Sequence, residues 1–157
     1  MKDRIKFNDA MLAAVMGGRK TQTRRPIEPQ PKVTEEELRN LGAWQDGYTL
    51  SDQVCAAWRH GFVDVDCPYG EIGDIISAAD KDGNIKGKIE ITDVWLQQVQ
   101  EISQDDALAE GFEGYDDDVT GGLSSYGEFS MMYIDIYGKD SWNNNEWVWV
   151  IEFKKVE

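Results

Sequence analysis

The sequence predicts an α+β fold, a curled mixed sheet or small β-barrel with peripheral helices, built as one domain over residues 1–157. Three observations carry this. Apolar residues recur at helical spacing in short, separate segments, each preceded by a capping residue and followed by glycine. Residues 74–79 and 85–99 read as two strands joined at Asp82-Gly83. The closing stretch 146–154 is apolar on both faces, as a covered central strand requires.

Each element has its own local reason. Asn8 is a good N-cap for a helix over 9–17 carrying Met11, Leu12, Val15 and Met16, which Gly17 and Gly18 end. A polar run from Arg19 to Arg25 follows, closed by Pro26, and Pro29 and Pro31 keep the next segment extended. Thr34 with Glu37 forms a capping box for a short helix ended by Gly42. Asp46-Gly47 suggests a tight hairpin turn. Ser51 then caps a helix bearing Val54, Cys55 and Trp58, which Gly61 stops. With its own start and stop signals, 34–61 reads as an insertion, too short to hold a separate core.

Phe62, Val63 and Val65 suggest a short strand. In the long strand, Ile89 and Ile91 alternate with charged neighbours, as one wet face requires. Ser103 with Asp106 opens a helix ended by Gly111. Residues 113–125 hold Asp116-Asp117-Asp118 and two glycines without periodicity and read as a mobile acidic loop. Alternating oxygen ligands for calcium are missing there. Phe129, Met132, Tyr133, Ile136 and Tyr137 form the core face of a further helix. In the last strand Trp147, Trp149, Ile151 and Phe153 face one side, Val148 and Val150 the other.

Composition narrows the function. The chain has 157 residues, 41% hydrophobic and 29% charged, which suits one core. No stretch is apolar enough to span a bilayer, and the charged start lacks a signal peptide's apolar run, so the expected location is the cytoplasm, with no membrane partner. Cys55 and Cys67 are expected as free thiols there. One His and two Cys give no metal-ligand spacing, and no cofactor is expected.

The net charge of -14 is unevenly spread. Residues 1–32 hold eight Lys or Arg against three Asp or Glu, and the rest carries a net -19. Such a body repels a phosphate backbone at long range, so long duplex DNA is not the expected partner. A nucleoside, a nucleotide or a short single-stranded RNA meeting the basic segment is easier to reconcile with this field. A host or phage protein bound by the acidic body is a further reading.

Gly17 to Arg25 is where chemistry would sit. Four cations and two threonine hydroxyls follow a helix directly, with glycines that let the backbone turn sharply. The glycine spacing is not that of a Walker loop. A lysine beside a threonine can take part in hydroxyl attack once burial lowers the lysine pKa. A solvated, basic strand edge is the plainer alternative.

Gly18, Lys20, Thr23 and Arg25 match a G-x-K-x-x-T-x-R pattern. With Tyr69 to Asp74 before one strand, Lys88 to Thr92 in the next, and Val148 to Lys154 at the close, the chain resembles the ASCH-domain proteins of the PUA-like superfamily. The likeness covers nearly everything except 34–61, and the size and Trp-rich C-terminus look most like the phage and prophage branch. The resemblance implies a PUA-like fold in a bacterial host cell and a cleft for RNA or nucleosides. Some ASCH proteins deacetylate acetylcytidine. Carried over, their catalytic set implies Thr23 as nucleophile, Lys20 as proton acceptor and Glu110 as its partner, with Gly18, Arg19, Arg24, Arg25 and Asp80 around the ligand. In the phage branch the strand after Gly-Asp carries an aromatic and two arginines. Here Ile75 to Asp80 keeps the acid, Asp80, alone.

Overall fold

Long-range strand pairing organises the chain. The computed structural model describes residues 4–40, 42, 44–61, 63–116, 118–119 and 121–156. Their strands are β1 (Arg4–Lys6), β2 (Gln22–Pro26), β3 (Ile75–Ala79), β4 (Ile85–Gln98) and β5 (Trp147–Val156). The helices are α1 (Asp9–Met16), α2 (Glu35–Asn40), α3 (Leu50–Arg59), α4 (Gln104–Ala109), α5 (Ser125–Tyr137) and α6 (Lys139–Asn143). The strands form one sheet in the order β1-β3-β4-β5-β2. The β1–β3 pair is parallel and the others antiparallel. The architecture is thus the expected mixed α+β, with the sheet left open between β1 and β2 and not closed into a barrel.

β5 is an inner strand between β4 and β2, as its two apolar faces require. Trp147, Trp149, Ile151 and Phe153 join one core with Val15 of α1 and Val54 of α3, and Met11, Leu12 and Met16 pack against it. Val148 and Val150 join a second core with Ala107, Phe129 and Tyr133. Helices therefore cover both faces of the sheet. A bulge between Ile91 and Asp93 keeps β4 in phase. Ile89 and Ile91 face the first core before it, and Val94 and Leu96 face the same core after it. One extra residue reverses the alternation, so odd positions hand over to even ones without an apolar side chain turning outward.

Several local expectations change. β1 is too short to show alternation, and it gains its place by pairing with β3. The polar run after α1 becomes β2, and Pro26 is tolerated because it ends an edge strand. Asp46-Gly47 lies in a turn between helices, with no hairpin around it. Thr49, not Ser51, caps α3, through a reciprocal box with Asp52. Phe62 lies outside the described residues, and 63–66 form no strand: the Val65 carbonyl accepts from Trp58 Nε1 at 2.7 Å. Within the acidic loop Asp117 is likewise outside the described residues, and Tyr115 bridges Leu123. On α5, Phe129 and Tyr133 are buried as expected, whereas Ile136 is exposed. Cys55 and Cys67 are free thiols, and no described helix is long and apolar enough to cross a membrane.

α3 closes an edge that β3 leaves open. β3 pairs with β4 as far as Glu90, so the later part of β4 has no strand on that side. There Ser51 Oγ accepts from the Gln98 amide at 2.9 Å, and Cys55, one helical turn on, packs in the first core with Leu96. Arg59 stands 3.8 Å from Asp93. Four helical residues advance about 6 Å and two strand residues about 6.7 Å, so the two periods match. Leu38 and Val54 are fully or almost fully buried, and the Trp58 ring meets Trp149 edge-on at 5.3 Å. Residues 34–61 thus complete the first core. Replacing 34–61 by a short Gly-Ser linker should abolish the cooperative thermal transition followed by circular dichroism. Trp58→Ala alone should cost about 3–5 kcal/mol in urea unfolding.

Candidate functional site

The end of α1 sets up the site. Gly18 takes a positive φ of 78° and turns the chain so that the amides of Arg19 and Lys20 both donate to the Ala14 carbonyl. The Thr21 amide then donates to the Ala109 carbonyl at 2.7 Å, tying the start of β2 to the end of α4. Gly111, at φ 107°, ends α4 against this turn. A Cβ built on it would lie 3.6 Å from the Cβ atoms of both Ala14 and Lys20.

This places the Lys20 ammonium at the end of α4. Its Nζ donates to Glu110 Oε1 at 2.7 Å and to the Glu110 carbonyl at 2.8 Å. The other carboxylate oxygen, Oε2, accepts from an Arg24 guanidinium nitrogen at 3.1 Å. Arg24 also donates to Gln97 Oε1 at 3.1 Å and Gln22 Oε1 at 3.0 Å, and it pairs with Asp106 at 3.4 Å. Gln22 in turn donates to Glu152 at 2.9 Å. Lys20, Gln22, Arg24 and Glu110 are all buried. Strand alternation explains the set: Gln22 and Arg24 lie opposite Glu152 and Val150, on the face that α4 and α5 cover.

Burial lowers the Lys20 pKa, and Glu110 opposes the shift by attraction and hydrogen bonding. Arg25 and Arg24 push in the same direction as burial. The amine is thus easier to deprotonate than an ordinary lysine while held by a carboxylate, which suits a proton acceptor.

Thr23 and Arg25 turn to the opposite face of β2, opposite Ile151 and Trp149. Thr23 Oγ1 accepts from Arg25 Nε at 3.0 Å, and among the described residues no hydrogen bond joins Thr23 to Lys20. Arg25 is half-buried, donates to the Lys6 carbonyl at 2.8 Å and lies 5.2 Å over the Phe7 ring. Of the residues named from sequence, Lys20, Glu110 and Arg24 therefore meet directly, and Thr23 joins Arg25. Arg19 and Gly18 are exposed at the turn. Asp80 is engaged elsewhere: its carboxylate accepts from the amides of Asp82 and Asn84 and shapes the β3–β4 turn.

Sequence reasoning missed Asp106, Gln22, Gln97 and Tyr137. Asp106 was legible in principle, because it lies four residues before Glu110 on one helix face. Tyr137 was read as core alone. Burial raises its phenol pKa, Arg25 opposes that shift, and Tyr69, Glu110 and Glu28 add to it, so Tyr137 lies within electrostatic reach of both Arg25 and Glu110. A separate groove of about 1130 Å³ runs between α3 and β4 and touches the network through Gln97.

No family model matches the chain, and no curated protein matches it. Solved structures do. The ASCH domain from Lactobacillus crispatus JV V101 is 14% identical, with a TM-score of 0.50, over 94% of this chain and 70% of that one. A DUF984-family protein from Enterococcus faecalis V583 is 17% identical, with a TM-score of 0.53, over 99% of this chain and 80% of that one. At such identities the likeness is one of fold alone: the chain shares the fold of that ASCH domain.

The network has a stability signature. Glu110→Gln leaves Lys20 and Arg24 buried without their shared counter-ion and should cost about 3–5 kcal/mol in denaturant unfolding. Lys20→Met should cost less, because Arg24 still holds Glu110. Between the lowered folded-state pKa of Lys20 and its ordinary 10.5, the unfolded chain holds a proton that the folded chain has released. Lys20 therefore makes stability climb with pH in that window. A pH series of urea midpoints should show a shallower rise, or a steeper fall, in Lys20→Met than in the wild type.

Proposed function

We propose that this chain is an ASCH-type domain that binds a nucleoside, or the end of a short single-stranded RNA, beside β2. The carrying observation is how the basic segment is divided. Lys20 and Arg24 are consumed inside the domain, whereas Arg25 stays half-buried with Thr23 beneath it and Tyr137 within electrostatic reach. A guanidinium over the Phe7 ring is suited to a ring and its sugar or phosphate. The -19 carried by residues 33–157 disfavours a long duplex, and a small ligand escapes most of that repulsion. In this reading the chain is of the phage and prophage branch, which its size and Trp-rich closing strand support.

A second reading is hydrolysis of an amide on a modified nucleoside, favoured by the lowered Lys20 pKa and its bond to Glu110. Thr23 Oγ1 would attack the carbonyl carbon and its proton would pass to Lys20 Nζ, with Glu110 holding the ammonium; the C–N bond would then break as Lys20 returns that proton to the leaving amine, and water would cleave the Thr23 ester to release the acid. For that, Thr23 must exchange its Arg25 contact for one with Lys20. The Arg25 bond leaves the threonine oxygen as an acceptor and directs its own proton elsewhere.

Titration calorimetry with nucleosides and short RNAs tests binding. Arg25→Ala should weaken binding about tenfold or more while costing about 1 kcal/mol or less in stability. A salt slope near zero identifies a nucleoside, and a slope of about -0.7 per neutralised phosphate identifies RNA. Release of free nucleoside from an acylated panel identifies the hydrolase. No binding by the wild type would remove the reading and favour the acidic body as a protein-binding surface.

A further inference from the structure

One face of the sheet reverses the charge of the chain. In the strand register Arg4, Ser77 and Lys88 lie side by side across β1, β3 and β4, and Lys154 of β5 lies opposite Glu90. Paired residues, and residues two apart on one strand, point to the same side. Arg4, Lys6, Lys88 and Lys154 therefore share the face away from the first core, which takes Ile5, Ile89 and Phe153 from the alternate positions. α4 and α5 cover this face further along β5, at Val148 and Val150. At the cationic end Lys6, Lys88 and Lys154 are exposed, as are Ile75 and Ile85 beside them.

The four cations meet one carboxylate on these strand positions, Glu90, which stands 3.8 Å from Lys154. The next carboxylate along β5, Glu152, is held by Gln22. Arg4 donates one nitrogen to the Gly83 carbonyl at 2.9 Å and keeps its charge. Lys81 and Lys86, near the β3–β4 turn, are matched there by Asp80 and Asp82. Counted by segment, Lys88 and Lys154 disappear in the -19 of residues 33–157. Strand pairing gathers them beside Arg4 and Lys6, in a stripe that crosses three strand spacings, about 14 Å.

Separate lysines on a flat face, with no aromatic ring among these strand positions, suit point charges spaced along a chain. The core of a protein interface is instead rich in aromatic residues and poor in lysine. The stripe also adjoins the site beside β2: Arg25 donates to the Lys6 carbonyl at 2.8 Å and lies over the ring of Phe7, the next residue. We propose that Arg4, Lys6, Lys88 and Lys154 form a phosphate track for single-stranded RNA, which runs from the Arg25 site across the open face of the sheet. This rests on the reading of Arg25 above and deepens it by choosing RNA over a free nucleoside. The track positions the backbone and reads no base. The acidic remainder of the body repels a second strand.

The test is titration calorimetry of uridine and of a uridine hexanucleotide over a salt series, with the wild type and the double variant Lys88→Gln, Lys154→Gln. The wild type is expected to bind the hexanucleotide at least about tenfold tighter than uridine, with log K falling against log salt at a slope of about -2 or steeper. The double variant should be shallower by about 1.4, or about 0.7 for each lysine. Uridine carries no phosphate and should show no slope with either protein. If the double variant melts early, Lys88→Gln alone, with a change of about 0.7, serves in its place. A hexanucleotide slope that neither variant changes overturns the inference and leaves the nucleoside reading standing. So does a hexanucleotide bound no tighter than uridine. A hexaglutamate peptide bound as tightly as the hexanucleotide also overturns it and assigns the face to an acidic protein. If the wild type binds no hexanucleotide the inference falls, and the uridine titration decides the nucleoside reading separately.

Discussion

The site and the fold share one carboxylate. Glu110 holds Lys20 with one oxygen and Arg24 with the other, all three away from solvent. Taking these charges out of water costs several kcal/mol for each ion, so the cluster persists because each charge meets an opposite one and its remaining bonds are made. Its members come from the turn after α1, from β2 and from the end of α4. Gln97 of β4 and Glu152 of β5 extend it across the sheet. The cluster thus sets where α4 ends relative to β2. A slip of β2 by one residue would turn Arg24 toward the first core, beside Trp149 and Ile151, and leave Glu110 with one partner fewer.

That dependence shapes what the site can do. Residues that would move a proton also hold the strand in register, so substitutions at Lys20 or Glu110 report on stability as well as chemistry. Arg25 and Tyr137 stand apart from this constraint. They are half-buried and lie outside the bridged carboxylate, so they can meet a ligand without dismantling the register.

How much was legible follows from which signals are local. Trp147 to Phe153 announces a strand covered on both faces, because alternate positions are apolar on each side. Asn8, Thr34 and Ser103 announce helix starts, because a cap is a contact between near neighbours. β1 was missed because three residues carry no period and its reason is pairing with β3, far along the chain. The bulge after Ile91 was missed for a related reason: a change of alternation has meaning only against the partner strand. In the site, Lys20 and Glu110 were joined by resemblance alone, since 90 residues separate them and no periodicity links them. Thr23 was grouped with Lys20 by the same resemblance, yet β2 begins between them and alternation sends Thr23 to the other face.

The seam between α3 and β4 bears on how the molecule behaves in company. A strand edge with bare amides invites a second copy to add its own strand, which is the first step of sheet-to-sheet aggregation. Here the Ser51 hydroxyl occupies one of those amides, and Cys55, one helical turn on, packs over the same edge with Leu96. Side-chain caps lack the cooperativity of a strand ladder, so a small tilt of α3 can bare the edge while the sheet stays intact. Cys55 is buried in that seam, and burial holds its thiol in the unreactive protonated form. Its reactivity becomes a gauge of how often the guard lifts, and so of how long the chain survives as a separate molecule at high concentration.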